Sequence, residues 1–89
     1  MSTGHFLLQV HADDSVAVAL SPIAAGTTIT VGKVPITLTT DVAQGHKVAL
    51  VALSPGDVVR KYGLPIGRAT ATIAPGDHVH VHNLSLIHI

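Results

Sequence analysis

The stretch Ile73-Ala74-Pro75-Gly76-Asp77 carries the clearest structural signal in this chain of 89 residues. Pro followed by Gly favours a type II turn, in which Pro supplies the fixed φ of the second position and Gly the positive φ of the third. Aliphatic residues follow this turn. The stretch therefore predicts a strand, a tight turn and a second strand.

The same unit recurs along the chain. Residues 53–57 and 23–27 repeat an aliphatic residue, two small or turn residues, Gly and a polar residue, and residues 42–46 form a looser copy. The irregular spacing of the copies argues against a solenoid. The segments between the turns are rich in β-branched residues, and we predict strands over residues 6–10, 15–20, 28–31, 34–39, 47–53, 58–62, 68–73 and 78–83. We expect a mainly β domain, compact and built of short, sharply bent strands, in which the apolar run at 48–53 is buried on both faces.

Composition narrows the classes of function. The formal net charge is zero and there is no run of like charge, so the electrostatic footprint of a nucleic-acid-binding protein is missing. Cys is absent, and no stretch approaches the roughly 20 apolar residues of a membrane span. We expect a cytoplasmic protein without nucleic acid or membrane as a partner. With only Phe6 and Tyr62 as aromatic residues, the core is modest and would gain from a partner surface, a homo-oligomer included.

The stretch His78-Val79-His80-Val81-His82-Asn83 is the main candidate for chemistry. In an extended chain the three imidazoles share one face and the valines the other. Same-face residues lie about 6.5–7 Å apart along a strand, which suits two imidazoles converging on one metal ion or anion. The alternative is an edge strand with solvated histidines. A third ligand from elsewhere in the chain would favour the metal or anion site over this alternative.

Two other segments offer polar groups beside glycines. Gly45-His46-Lys47 precedes an apolar run, on a turn where the backbone can approach a ligand; the alternative is a turn cap beside a solvated Lys. Residues 60–67 combine two cations, a phenol and two glycines around Pro65, a corner that suits a carboxylate. The alternative there is that Tyr62 covers the core. We interpret Asp13, Asp14, Asp41, Asp57 and Asp77 as turn formers, since no complete catalytic set accompanies them.

Residues 84–89 do not continue the strand pattern. One permitted codon choice for Leu84-Ser85-Leu86-Ile87-His88-Ile89 spells CTGTCTCTTATACACATC, the transposon end used in sequencing adapters. We therefore expect a native domain over residues 1–83 and a non-native tail over 84–89. Any other codon choice in the underlying DNA would contradict this hypothesis.

Several of these motifs occur together in one known family. Residues 14–20, 23–26, 45–50, 61–67 and 78–83, in this order, resemble the SAF-type domain of the altronate and galactarate dehydratase family, and the resemblance spans nearly all of residues 6–83. It implies a β-clip fold. It also implies a small subunit or N-terminal domain that works with a large catalytic subunit or C-terminal domain on a sugar acid, with a divalent metal, iron or manganese. The sulfolactate sulfo-lyase small subunit is similar, and related β-clip domains also serve as non-catalytic carbohydrate-binding or assembly modules.

The resemblance also suggests a role for each residue of these motifs. It implies His46 and Lys47 as catalytic residues and His78 and His80 as metal ligands. Lys47 and Lys61 are candidate partners for the carboxylate of the substrate. The remaining substrate-binding candidates are Tyr62, Gly63, His82 and Asn83. We therefore expect a lyase component, a hydro-lyase of hexuronate catabolism, that is inactive alone.

Overall fold

The computed structural model describes residues 7–9, 11–80 and 82–86, and within these ranges the regular structure consists of strands alone. No helix there is long and apolar enough to cross a membrane. The strands are β1 (Leu7–Leu8), β2 (Val16–Ala19), β3 (Thr28–Val31), β4 (Val34–Thr37), β5 (Lys47–Ala49), β6 (Val58–Lys61), β7 (Leu64–Ala69), β8 (His78–Val79) and β9 (Leu84–Leu86). This confirms the expected mainly β fold of short strands.

The strands form three small antiparallel sheets. The first has the order β1-β2-β5-β8, so that β8 lies at its edge. The second is the hairpin of β3 and β4, and the third has the order β6-β7-β9. Pairing of β5 with β8 sets Lys47 opposite Val79 and Val48 opposite His78. The first sheet therefore brings two of the sequence motifs side by side.

The repeated turn predicted from the sequence is present in all four copies. The Gly of each copy has a positive φ, between 82° at Gly26 and 93° at Gly76, as the third position of a type II turn requires. The residue after Gly donates its backbone N–H to the carbonyl three residues earlier in each copy, over 2.9–3.2 Å. Isolated bridges join the copies in pairs, Ile23 to Val42 and Leu53 to Ile73.

The core has two clusters that meet at β5. Val48 and Ala49 are both fully buried, but they belong to different clusters because successive strand residues point to opposite faces. Val48 packs with residues that include Ile23 and Val42, and Ala49 packs with residues that include Leu53 and Ile73. Burial on both faces is thus confirmed for β5, but it is wrong for the rest of the run at 48–53, because Val51 and Ala52 are exposed.

Several predicted strand boundaries are wrong. The strand predicted at 47–53 ends at Ala49, because the chain then enters the next turn unit. The strand predicted at 68–73 begins earlier, at Leu64. The reason is that Tyr62 and Gly63 both have a positive φ, the geometry of a two-residue hairpin turn, so that pairing resumes at once. Phe6 and Val10, at the ends of the strand predicted at 6–10, lie outside the described residues.

The strand predicted at 78–83 is also too long. It ends at Val79, and Asn83 donates its backbone N–H to the His80 carbonyl over 3.0 Å, which closes a turn. The chain then continues as β9, which pairs with β7 and buries Leu84. This pairing does not show whether residues 84–89 are native. Their non-native origin stays a prediction that the DNA sequence can test.

Candidate functional site

Three imidazoles meet where β5 begins and β8 ends. His46 is the last residue of the turn unit at 42–46, and its backbone carbonyl accepts the N–H of Ala19 on β2. His78 lies on β8 and His80 follows that strand. The His46 ring is stacked on both others, with centroids 5.0 Å from His78 and 4.4 Å from His80. The third ligand for which the sequence left room is therefore His46, which lies 32 residues before His78.

A hydrogen bond links two of these rings directly. His46 Nδ1 and His78 Nε2 lie 2.8 Å apart, so that one of the two nitrogens carries a proton and the other accepts it. The ligand nitrogens of His46, His78 and His80 all lie within 4.8 Å of one another, and the three residues are half-buried. His82 is exposed, and its ring is tilted against His78 with centroids 5.3 Å apart.

Asn83 holds the loop that carries His80. Its side chain is buried: Oδ1 accepts the backbone N–H of His80 over 3.0 Å, and Nδ2 donates to the carbonyl of His78 over 2.9 Å. These two bonds fix the backbone on both sides of Val79. The geometry therefore gives Asn83 a supporting role in the loop, and the substrate contact expected of it stays a prediction.

Burial and nearby positive charge lower the pKa of two histidines and one lysine at this site. Burial, followed by repulsion from His46, lowers the pKa of His78, and the same two causes lower the pKa of His80. Burial lowers the pKa of Lys47 as well, and the charge of Lys61 adds to this effect. Neutral imidazoles can bind a metal ion or accept a proton at neutral pH.

The turn between β6 and β7 is held against the start of β2. The buried carboxylate of Asp14 accepts the Gly63 N–H over 2.7 Å, and the Ser15 hydroxyl accepts the Arg60 N–H over 3.2 Å. Tyr62 has a φ of 58°, unusual for a residue other than Gly, and the Lys61 ammonium lies 4.8 Å from its ring centroid. Lys61 is thus fixed on the side of the domain where its charge acts on Lys47.

The family described as altronate/galactarate dehydratase SAF domain matches residues 5–86, which include every residue of the histidine cluster. The chain belongs to this family.

Similar proteins agree with the family assignment. This SAF domain is 54% identical over 76 residues to altronate dehydratase of Escherichia coli (strain K12), and 40% identical over 76 residues to altronate dehydratase of Bacillus subtilis (strain 168). Each alignment covers 85% of the chain but 15% of the relative. The chain is also 48% identical over 48 residues to (2R)-sulfolactate sulfo-lyase subunit alpha of Paracoccus pantotrophus, which covers 54% of the chain and 72% of that subunit.

The donor set of the SAF domain fits a transition metal. Imidazole nitrogens bind such ions at about 2.0–2.1 Å, so two ligands of one ion lie at most about 4.2 Å apart. Separations of up to 4.8 Å need only small side-chain rotations to reach that range. The proton between His46 Nδ1 and His78 Nε2 would have to move to the other nitrogen of its ring before both of these atoms could bind one ion. Imidazole is a more common ligand for iron than for manganese, so the three histidines fit iron better.

An open cavity of about 190 Å³ adjoins the histidine cluster of the SAF domain. His78 and His82 form one side of it, and the other lining residues are Thr39, Thr40, Asp77 and Asn83. The sequence offered no signal for Thr39 or Thr40, because they belong to a different turn region that packs here only in the folded chain. Asp77 does close a turn, as expected, since its Oδ2 accepts the Ala74 N–H over 2.8 Å.

The structure thus sorts the predicted site residues of the SAF domain into groups. His46, His78 and His80 form one cluster, with His82 at its rim. Lys47 and Lys61 interact electrostatically, and Tyr62 lies beside Lys61. The Gly63 N–H is already bonded to Asp14, which sequence reasoning classed as a simple turn former. Asp14 does close a turn, as expected, since its Oδ2 accepts the His11 N–H over 3.1 Å, and its Oδ1 joins this turn to a distant segment.

Proposed function

We propose that this SAF domain is the small subunit or N-terminal domain of a sugar-acid dehydratase, an altronate dehydratase-like hydro-lyase. In this proposal it contributes a metal-binding and carboxylate-binding surface to a site that a larger catalytic subunit or domain completes. The observation that carries the proposal is the meeting of His46 with His78 and His80, which brings together three imidazoles from two distant segments.

The reaction makes demands that these residues can meet. Dehydration of a sugar acid removes a weakly acidic proton next to a carboxylate and expels a β-hydroxyl group. His46, His78 and His80 would hold the metal, iron in preference to manganese, and the bound metal would stabilise the negative charge that develops on the substrate. The exposed His82 lies beside this cluster, where its imidazole can take up or deliver a proton.

The two lysines are suited to the carboxylate of the substrate. Lys47 follows His46 directly, and Lys61 acts on Lys47 electrostatically. An anion bound between them would relieve this repulsion and gain charge-assisted hydrogen bonds. The lowered pKa of Lys47 favours its neutral form when no anion is bound, so that Lys47 can alternatively serve as a base while Lys61 holds the carboxylate.

A larger partner follows from the size of the site. Complete sites for small molecules have volumes of roughly 300–1,000 Å³, whereas the cavity beside the histidines has about 190 Å³ and is open. The chain spans 15% of the length of the altronate dehydratases that it matches. Both observations support a site that is closed by protein from outside this domain.

A second candidate is the small subunit of a sulfolactate sulfo-lyase. The similarity to an alpha subunit, of which the alignment covers 72%, favours it. The same carboxylate and metal contacts would serve, but sulfite would leave in place of water. A non-catalytic carbohydrate-binding or assembly module is the candidate from a different class, and it would not require the metal.

Metal titration of the chain tests the proposal. We expect Fe²⁺, or Co²⁺ as a spectroscopic substitute, to bind with one equivalent by calorimetry. His46→Ala or His80→Ala should weaken this binding at least about 100-fold, because each removes a ligand. The matched control is His11→Ala, since His11 is exposed and lies outside the cluster.

Unchanged metal affinity in both cluster variants would contradict the proposal. The candidates are then separated by activity with the large subunit of each kind of enzyme. Release of water from altronate supports the dehydratase, and release of sulfite from sulfolactate supports the sulfo-lyase. A chain that binds no metal and restores neither activity would be a non-catalytic module.

A further inference from the structure

The cavity beside the histidine cluster has a second wall that the proposed reaction does not use. His78 of the cluster and His82 at its rim line the cavity, and Thr39, Thr40 and Asp77 form the second wall. This wall presents two hydroxyl groups and one carboxylate. Its chemistry therefore differs from that of the imidazoles, and neither Lys47 nor Lys61 lines the cavity.

Backbone contacts hold the polar groups of this wall in place. Thr39 Oγ1 donates to Asp77 Oδ1 over 2.8 Å, and the Thr39 N–H donates to the Gly76 carbonyl over 3.2 Å. A side chain at Gly76 would collide with the Thr37 carbonyl, so that only Gly lets the two segments approach this closely. The two oxygens are thus positioned by the fold before any ligand arrives.

These oxygens can accept more hydrogen bonds. The Asp77 carboxylate accepts hydrogen bonds from the Ala74 N–H and the Thr39 hydroxyl, whereas a carboxylate offers about four acceptor sites. Thr39 uses its single hydroxyl proton on Asp77, which leaves its oxygen as an acceptor. A ligand at this wall would therefore donate hydrogen bonds, as the hydroxyl groups of a polyol do.

Charge separates the two ends of such a ligand. The negative charge of Asp77 repels a carboxylate, whereas Lys47, which pairs with Val79 between His78 and His80, attracts one together with Lys61, and this is the lysine side of the cluster. A hydroxy acid would consequently place its carboxylate toward the lysines and its neutral hydroxyl groups toward Asp77. A three-carbon acid is too short to reach the second wall when its carboxylate lies at the lysines. A six-carbon acid has several further hydroxyl groups that can reach it.

We propose that Thr39, Thr40 and Asp77 form a subsite for the neutral hydroxyl groups of a polyhydroxy acid whose carboxylate lies at the lysine side of the histidine cluster. This inference rests on the proposed function and extends it, because the subsite selects a long polyhydroxy acid over a three-carbon acid.

The test compares two acids on the isotope-labelled chain by nuclear magnetic resonance. D-altronate is the long probe and lactate is the three-carbon probe. We expect Thr39→Val to weaken altronate binding about three- to tenfold, because one neutral hydrogen bond and the fixed position of Asp77 are lost. Thr39→Ser, which keeps the hydroxyl group, should restore it, and lactate should bind equally to all variants. Thr30→Val is the matched control, because Thr30 is exposed on β3 and does not line the cavity.

The outcomes separate the subsite from the proposed function. Equal effects of Thr39→Val on both acids, or no effect on altronate, would overturn the subsite. Altronate that shifts the signals of Thr39 and Asp77 but leaves those of His46 and His78 unchanged would support the subsite and contradict the proposed site. The reverse pattern would support the histidine site and overturn the subsite. No response to altronate anywhere would refute both.

Discussion

The turn that ends at His46 and the turn that ends at Asp77 have the same backbone and different uses. Their glycines have φ of 85° and 93°, and each turn is closed by a hydrogen bond of 3.1 or 3.0 Å. The Asp77 side chain folds back onto the Ala74 N–H at the start of its own turn. The His46 side chain instead reaches His78 on the neighbouring strand.

This difference shows how the domain acquires a site without a new element. Asp57 closes its turn just as Asp77 does, with a bond of 2.8 Å to the Ser54 N–H, so that a carboxylate is the stabilising choice at this position in two of the four copies. Histidine at the same position gives up that bond. The domain therefore exchanges local turn stability for an imidazole at the edge where β5 meets β8.

Alanine substitutions at Gly45 and Gly76 should give the largest difference in stability between the two turns. Gly76→Ala is expected to lower the free energy of unfolding by about 3 kcal/mol or more, because the new side chain would strike the Thr37 carbonyl and adopt a positive φ. Gly45→Ala meets no atom within 4 Å and should lose only about 1–2 kcal/mol from its φ. Urea denaturation measures both, and equal losses would mean that the close packing at Gly76 is unimportant.

Replacing His46 by Asp, the residue that closes the turns at Asp57 and Asp77, should weaken metal binding without loss of stability. His46→Asp should weaken Co²⁺ binding at least about 100-fold. Its free energy of unfolding should stay unchanged or rise by about 1 kcal/mol, because the carboxylate can bond the Ala43 N–H. Calorimetry and urea denaturation give the two values.

Thr27→Asp is the matched control for this exchange, since Thr27 occupies the same turn position in the copy at 23–27. It should leave Co²⁺ affinity unchanged. A stability loss of several kcal/mol in His46→Asp would show that the imidazole stack itself stabilises the fold, which would reverse the comparison.

The Asn83 side chain should affect metal binding although it is not one of the three candidate ligands. Asn83→Ala removes the bonds to His78 and His80, and we expect Co²⁺ affinity to fall about tenfold, as for other groups that orient metal ligands. Asn83→Asp keeps an acceptor for the His80 N–H and should have an intermediate affinity. Wild-type affinity and an unchanged Co²⁺ spectrum in Asn83→Ala would rule out this role.

The smallest effect is expected at the turn that carries no site. Asp57→Ala removes the bond to the Ser54 N–H and should lower the free energy of unfolding by about 1 kcal/mol. Co²⁺ affinity should not change. If Asp57→Ala weakened metal binding, the turns would not be independent units. The different roles assigned to the turns at His46 and Asp77 would then be contradicted.

Much of the fold could be predicted because its signals are local. Each repeated turn depends on local φ preferences, with Gly in all four copies and Pro before it in two, and all four copies were found where the sequence placed them. Strand ends were less predictable. Tyr62 adopts a positive φ that its residue type does not favour, and contacts with Asp14 and Ser15, far away in sequence, hold the turn around it.

The sequence by itself determined the repeated turns, the mainly β class and the identity of the groups able to do chemistry, because these follow from the conformational and chemical properties of neighbouring residues. Only the tertiary structure decided which of those groups meet. Pairing of β5 with β8 brings His46 to His78, and the packing of Gly76 beneath Thr37 brings Thr39 to Asp77. Such contacts depend on strand register and on the fit of distant segments, which no local preference specifies.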